Sequence, residues 1–240
     1  MSKNKINYSN SKTETNINLN ICCFSFYLCR MIDNATQTLI DEGKLLPLME
    51  EFYTIQGEGF HTGKAAYFIR VGGCDVGCHW CDVKESWNAD LHPPTLADTI
   101  VKNAKKYSNT VVITGGEPLM WNMEYLTGNL QQQKIKTHIE TSGAYPLTGM
   151  WDWICLSPKK TKLPLEDIYN KANELKIIVY NKNDFKFAEE QAAKVNKKCE
   201  LFLQPEWSNR EKMTSLIVDY VMANPKWKIS LQTHKYLNIP

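Results

Sequence analysis

The residues with the most chemical content in this 240-residue chain are Cys74, Cys78 and Cys81, spaced C-x-x-x-C-x-x-C. Three thiolates on so short a loop can converge on one inorganic centre, and Gly72, Gly73 and Gly77 give that loop the turn freedom to fold round it. A cubane cluster offers four iron corners, so three cysteines leave one iron open to a chelating ligand, which suits catalysis. The competing reading is a zinc site completed by His79 or His92. One compact triplet with no second paired-cysteine knuckle favours the cluster. A second chemical segment is TGGEP at 114–118. Its glycines let backbone approach a ligand closely, and Glu117 can accept from an ammonium. Without the cysteines it would read as an ordinary strand-to-helix turn.

These segments need a scaffold. Strand candidates rich in Ile, Val, Phe or Thr lie at 65–71, 110–114, 137–141, 153–156, 175–180, 200–203 and 227–231. Amphipathic stretches fall between them, the pattern of a parallel sheet with crossover helices. The spacing predicts a helix over 95–107, opened by a Thr-x-x-Asp cap signal and burying Leu96, Ile100 and Ala104. Another is predicted over 208–223, with Ser208 and Glu211 as a capping box and Met213, Leu216, Ile217, Tyr220 and Val221 on one face. The cysteine loop follows the first of these strands and TGGEP follows the second. One α/β domain from Met49 to Pro240 accommodates every element.

Residues 1–20 are dominated by Asn, Lys, Ser and Thr and are expected to be disordered. The apolar stretch 21–28 follows a long polar lead and precedes no small-residue cleavage site, so export is not expected. Residues 1–48 therefore read as a disordered or non-native extension, with Met31 or Met49 as alternative starts. The eight cysteines are not a disulfide ladder in a chain long enough to bury a full core, which indicates a reducing cytoplasm. Lys+Arg number 28 against 26 Asp+Glu with no block of like charge, so neither a nucleic-acid groove nor a membrane-surface patch is indicated. No apolar run approaches the roughly 18 residues of a membrane-spanning helix. The partner indicated is a small molecule.

Cys74 to Cys81, with the aromatic Trp80 before the last cysteine, and TGGEP after the next strand resemble the radical S-adenosylmethionine (SAM) superfamily. FYTIQGEG at 52–59, Arg70 near the end of the first strand, and the closing THKYLNIP at 233–240 narrow the likeness. Together they resemble the 7-carboxy-7-deazaguanine synthase family of the queuosine pathway, from about Met49 to the last residue. The resemblance implies an α/β fold built as a partial, open parallel barrel with its site at the carboxyl ends of the strands. It implies a lyase that converts 6-carboxy-5,6,7,8-tetrahydropterin to 7-carboxy-7-deazaguanine with loss of ammonia. The implied cofactors are a [4Fe-4S] cluster, SAM as a source of the 5′-deoxyadenosyl radical, and Mg2+. A flavodoxin-type electron donor and a homodimer are implied as well.

Carried over residue by residue, the resemblance assigns Cys74, Cys78 and Cys81 to the cluster. It assigns Trp80, Asp82, Gly116, Ser157, Pro158 and Lys159 to SAM, joined by Gln204, Pro205, Glu206 and Trp207. Ile55, Gln56 and Gly57 would hold the pterin, the Gln56 amide presenting a donor and an acceptor together. Arg70 would face the substrate carboxylate, Thr114 would add a contact, and Pro240 would bring the chain's last residue to the site. Many members of the family place a magnesium-ligating hydroxyl after the Cys-Asp pair, where this chain has Val83. The substrate carboxylate and waters, with Asp82 or Glu85 nearby, could substitute. A glycyl-radical activating enzyme and a non-catalytic zinc module are the alternatives. FYTIQGEG and THKYLNIP argue against the former, and metal content separates the latter.

Overall fold

The computed structural model describes residues 34–240. The expectations for residues 1–20, for the stretch 21–28 and for Met31 lie outside the described residues. The predicted strand pattern is realised as one sheet whose order is β3-β1-β2-β4-β5-β6-β7-β8-β9. Its strands are β1 (Leu45–Ile55), β2 (Ala65–Val71), β3 (Pro94–Leu96), β4 (Thr110–Gly115) and β5 (Lys136–Thr141), followed by β6 (Trp153–Leu156), β7 (Glu174–Val179), β8 (Glu200–Pro205) and β9 (Trp227–Ile229). From β2 to β9 every pairing is parallel, and the edge strands β3 and β9 do not meet. The sheet is the open, unclosed one anticipated. Helices α1 (Asn34–Asp41), α2 (Ala97–Ala104), α3 (Glu124–Gln132), α4 (Glu166–Tyr169), α5 (Asn183–Ala192), α6 (Arg210–Ala223) and α7 (Thr233–Leu237) complete it. No helix among the described residues is long and apolar enough to cross a membrane.

Several local expectations are corrected. The boundary at Met49 falls inside β1, because Leu45 and Leu46 are buried and pair with β3, and α1 precedes them. β1 pairs antiparallel with both neighbours and was not anticipated, since its burial lacks a clean alternation and it contains Pro47. Thr95 does not cap α2: it lies in β3 and its hydroxyl donates to Pro93 O, while Leu96 is half exposed. Ile100 and Ala104 are fully buried as expected. Ser208 and Glu211 form no capping box. Glu206 accepts from the Ser208 and Asn209 backbone N–H groups instead, so the chain makes one turn before α6 begins at Arg210.

Side chains alternate across each strand. Ile69, Ile113 and Ile139 point outward and have no exposed surface. Burying each is worth about 1.5–3 kcal/mol, which holds the sheet as a rigid frame. The opposite face carries Arg70, Thr114, Glu140 and Gln204, from the carboxyl halves of their strands, and Lys176 from the middle of β7. Near the amino ends of β5 and β6, that same face is filled by aromatic rings. Phe60 stacks on Trp153 at 4.7 Å and His61 on His138 at 4.6 Å. Glu174, at the start of β7, is the buried carboxyl among these rings, accepting from Phe60 N and Trp153 Nε1.

Candidate active site

The cysteine loop leaves β2 through Gly73, whose φ of +99° places it in the region that favours glycine. Gly77, at φ +70°, turns the loop again between Cys74 and Cys78. The loop is pinned at both ends: Gly73 N donates to Ser86 O at 2.7 Å, Cys74 N to Trp87 O at 3.1 Å, and Cys81 N to Cys78 O at 3.0 Å. Cys74, Cys78 and Cys81 are unpaired and half-buried, and all three line a cavity of about 470 Å³. Burial pushes the Cys74 and Cys78 thiols up, so a bound centre would have to displace their protons. Among the described residues no three His, Cys, Asp or Glu side chains gather as a single-ion site. His79 packs edge-on against Tyr180, and His92 is hydrogen-bonded to Glu85 O and lies against Gly72. Both histidines that could complete a zinc site are engaged elsewhere.

TGGEP meets this loop backbone to backbone. Gly116 N donates to Val71 O and Glu117 N to Gly73 O, each at 2.8 Å. A Cβ on Gly116 would stand 2.2 Å from Gly73 O, so glycine here permits contact with the cysteine loop itself. Glu117 is buried at the cavity lining and accepts from Leu119 N, Thr141 Oγ1, Ser142 N and Ser142 Oγ. The carboxylate braces the turn.

Trp80, Asp82, Gly116, Ser157 and Lys159 line the same cavity. Pro158 does not; it borders a neighbouring hollow of about 130 Å³ beside His79 and Tyr180. The Lys159 ammonium donates to Ser157 O at 2.6 Å and Ser157 Oγ at 2.7 Å, and burial pulls its pKa down. Gln204, Pro205, Glu206 and Trp207 reach the cavity at the end of β8, where Glu206 is occupied as the turn cap described above and Gln204 accepts from Ser230 Oγ. Ile55, Gln56, Gly57, Arg70 and Thr114 form another wall. The Gln56 amide is already used: Nε2 donates to Glu140 Oε1 at 3.0 Å and Oε1 accepts from Glu58 N at 3.0 Å. Arg70 donates to Glu50 Oε1 at 2.8 Å and lies over the Phe52 ring.

The final segment closes the cavity. Thr233 donates through both N and Oγ1 to Gly57 O, and Gln232 Nε2 donates to Glu58 Oε1 at 2.9 Å. Lys235 Nζ lies 2.5 Å from Asp82 Oδ2 and stands over the Trp207 ring. This strap joins the β1 end, the cysteine loop and the β8 end, and it brings Pro240 to the cavity.

A buried charge cluster on the floor was not anticipated. Lys176 makes an ion pair with Glu58 and sits 3.7 Å from Glu140 Oε1, and Glu140 Oε2 accepts from Thr114 Oγ1 at 3.2 Å. Burial pushes Glu58 up, but the Lys176 ammonium and the hydrogen bonds from Lys176 and Gln232 outweigh it and hold the carboxyl down to about 2. Burial opposes the Lys176 charge too, yet Glu140 and Glu58 raise its pKa well above the ordinary value. A signal for one of these residues existed in the chain. Lys176 stands between Leu175 and Ile177, so it interrupts an apolar run with a charge that requires a partner, whereas Glu140 lies in the mostly polar β5 and carries no such signal.

Comparison with known proteins agrees with this geometry. Residues 68–156 match the model of the Radical SAM superfamily. The chain is 69% identical over 210 residues to the 7-carboxy-7-deazaguanine synthase of Flavobacterium psychrophilum, covering 88% of this chain and 100% of that protein. It is 48% identical over 194 residues to the protein of the same name from Synechocystis, covering 80% and 93%. The crystal structure of QueE from Escherichia coli superposes with a TM-score of 0.71 at 29% identity, covering 83% of this chain and 99% of that one. The cysteine loop, the glycine turn and the cavity between them are thus those of a chain that belongs to the 7-carboxy-7-deazaguanine synthase family of the radical SAM superfamily.

Proposed function

We propose that this protein is the lyase that contracts 6-carboxy-5,6,7,8-tetrahydropterin to 7-carboxy-7-deazaguanine with release of ammonia, in queuosine biosynthesis. The observation that carries the reading is one cavity lined at once by the three cysteines, the glycine turn and the Gln56, Arg70 and Thr114 wall. The cysteines fit a [4Fe-4S] cluster in donor chemistry, in number and in sharing an open cavity face. When bound, the cluster and SAM supply the radical that removes a hydrogen atom from the pterin. Trp80, Gly116, Ser157 and Lys159 would hold SAM beside that cluster, with the QPEW residues completing its surround.

Toward the substrate, Arg70 keeps further guanidinium N–H groups beyond the one on Glu50, and these suit a carboxylate. The donor-rich edge of an aminopyrimidinone calls for acceptors. Glu58 and Glu140 supply them, Glu58 kept ionised by Lys176, while Gln56 and Thr114 hold Glu140 in place. The strap from Gln232 to Pro240 would exclude water from that end of the cavity. A Gly57→Ala substitution tests the strap, because the new Cβ would stand 2.2 Å from His234 Nδ1 and force α7 outward. The expected result is a pterin KM raised roughly 10- to 100-fold with cluster content unchanged, read by steady-state kinetics and iron analysis.

Magnesium fits less well. Val83 offers no ligating atom, Asp82 is held by Lys235, and Glu85 is exposed outside the cavity. The residues present provide no side-chain set for the ion, so its coordination is proposed to come from the substrate carboxylate and water. Chelation and readdition with the pterin present should then change turnover, and no response removes the metal from the reading. A flavodoxin-type reductant, a homodimer and a cytoplasmic site of action complete the proposal.

The deciding experiment is anaerobic reconstitution followed by incubation with SAM, a reductant and 6-carboxytetrahydropterin, with product read by mass spectrometry. Formation of 7-carboxy-7-deazaguanine without stoichiometric SAM consumption is expected. SAM cleavage that leaves the pterin intact would reduce the reading to the superfamily alone, and a colourless zinc protein would overturn it.

A further inference from the structure

Trp87 touches both ends of the cysteine motif. Its indole Nε1–H donates to Cys81 Sγ at 3.4 Å, and its backbone carbonyl accepts from Cys74 N at 3.1 Å. The ring also lines the cavity, and the Lys84 ammonium stands 5.9 Å from its centroid. The residue is held there by its neighbours. The turn Lys84–Ser86 delivers it, Ser86 is buried with its hydroxyl on Val83 O at 2.7 Å, and Ser86 O accepts from Gly73 N. One residue therefore positions a cysteine at each end of the motif, and it directs its N–H at a sulfur rather than at water.

A sulfur bound to iron keeps lone pairs that accept hydrogen bonds. Reduction places additional negative charge on the iron and its thiolates, so a donor aimed at such a sulfur stabilises the reduced cluster more than the oxidised one. Hydrogen bonding to ligand sulfur is one of the principal controls on cluster potential. We propose that Trp87 is a positioning residue whose indole N–H, through Cys81 Sγ, raises the reduction potential of the cluster and thereby eases electron entry from the reductant. The proposal rests on the cluster reading above. It adds to that reading the residue that tunes the centre.

The test is the midpoint potential of the reconstituted cluster, measured without SAM by an EPR-monitored redox titration, in the wild type and in Trp87→Phe. Phenylalanine keeps an aromatic ring and the backbone carbonyl but has no N–H. The expected result is a more negative potential at wild-type iron and sulfide content, with slower SAM cleavage when a weak reductant is used and recovery with a strong one. An unchanged potential in a fully loaded variant would overturn the proposal. Should Trp87→Phe load incompletely, 3-benzothienylalanine at position 87 decides, since it keeps the bicyclic shape and lacks only the N–H. A lowered potential in that protein supports the proposal, and a wild-type potential, or loss of the cluster, which would make the N–H a structural support rather than a tuning donor, overturns it. Failure of the wild type itself to form a [4Fe-4S] centre would instead sink the cluster reading, so the two failures are distinguishable.

Discussion

Cys78→Ala is expected to abolish product formation while leaving the folded apoprotein nearly unchanged. Cys78 lies on the loop between β2 and β3, half-buried at the cavity surface and outside the hydrophobic clusters that hold the sheet. Its loss removes one sulfur from the loop and nothing from the core, so apoprotein stability should move by no more than about 0.5 kcal/mol. Catalysis depends on that sulfur in another way. Losing even an outer-shell partner of a metal costs roughly 10- to 100-fold, and losing a ligand should cost more. Reconstituted Cys78→Ala should show sub-stoichiometric iron, no SAM cleavage and no product, beside a urea denaturation curve that overlays the wild type. Retention of full iron and activity would remove Cys78 from the ligand set.

The second large effect is expected at Lys176. Its ammonium is the cation between Glu58 and Glu140, and its side chain is 5% exposed. Lys176→Met would leave two carboxylates without it in a partly buried site, and breaking such an arrangement costs about 3–5 kcal/mol. The pH dependence carries the same signature. Glu58 is held at about 2 against an ordinary value of 4.5, so its ionised form is favoured by the fold. At about 1.4 kcal/mol per pKa unit, that is a stabilisation of order 3 kcal/mol. It is complete above the unfolded-state value of 4.5 and is lost as pH falls from there through 2. In Lys176→Met the carboxyl should titrate higher, so the variant loses most at neutral pH and differs least from the wild type in acid. Urea denaturation of the apoproteins across pH 7 to 3 reads this directly. Adding Glu58→Gln should restore part of the stability, because the neutral amide needs no counter-charge, and strict additivity of the two changes would show that the pair is uncoupled. Turnover should fall at least about 10-fold in Lys176→Met even where the protein is folded, if Glu58 and Glu140 receive the pterin.

The chain disclosed its chemistry because the relevant residues are close in sequence. Cys74, Cys78 and Cys81 share one loop, and Gly73 and Gly77 mark turns that the backbone indeed makes at positive φ. Strands β2 and β6 were legible to the residue, since their Ile, Val and Phe content and their flanking turn residues act locally. β1 was not, because a strand that is partly exposed and paired antiparallel on both sides carries neither a continuous apolar run nor a clean alternation. The cap at Thr95 failed for a related reason: a local hydroxyl signal lost to pairing with a strand some fifty residues earlier in the chain.

The type of site was therefore determined by sequence, and its polar interior was decided only by tertiary structure. Glu58, Glu140 and Lys176 come from just past the end of β1, from β5 and from β7, and they become one cluster only because the sheet brings three strands to one cavity. Whether a charge in a strand is solvated, neutralised or paired depends on what faces it across the interior, which no local spacing encodes. Glu117 illustrates the same point from the other side. As part of TGGEP it reads as a ligand to an external ammonium, and the fold adds what the motif does not show, four donors from the turn and from the end of β5 that hold it at the cavity lining. The sequence determined which groups could react, while the packing of distant strands decided which of them remain free to do so, because desolvation and hydrogen-bond satisfaction are properties of the assembled interior.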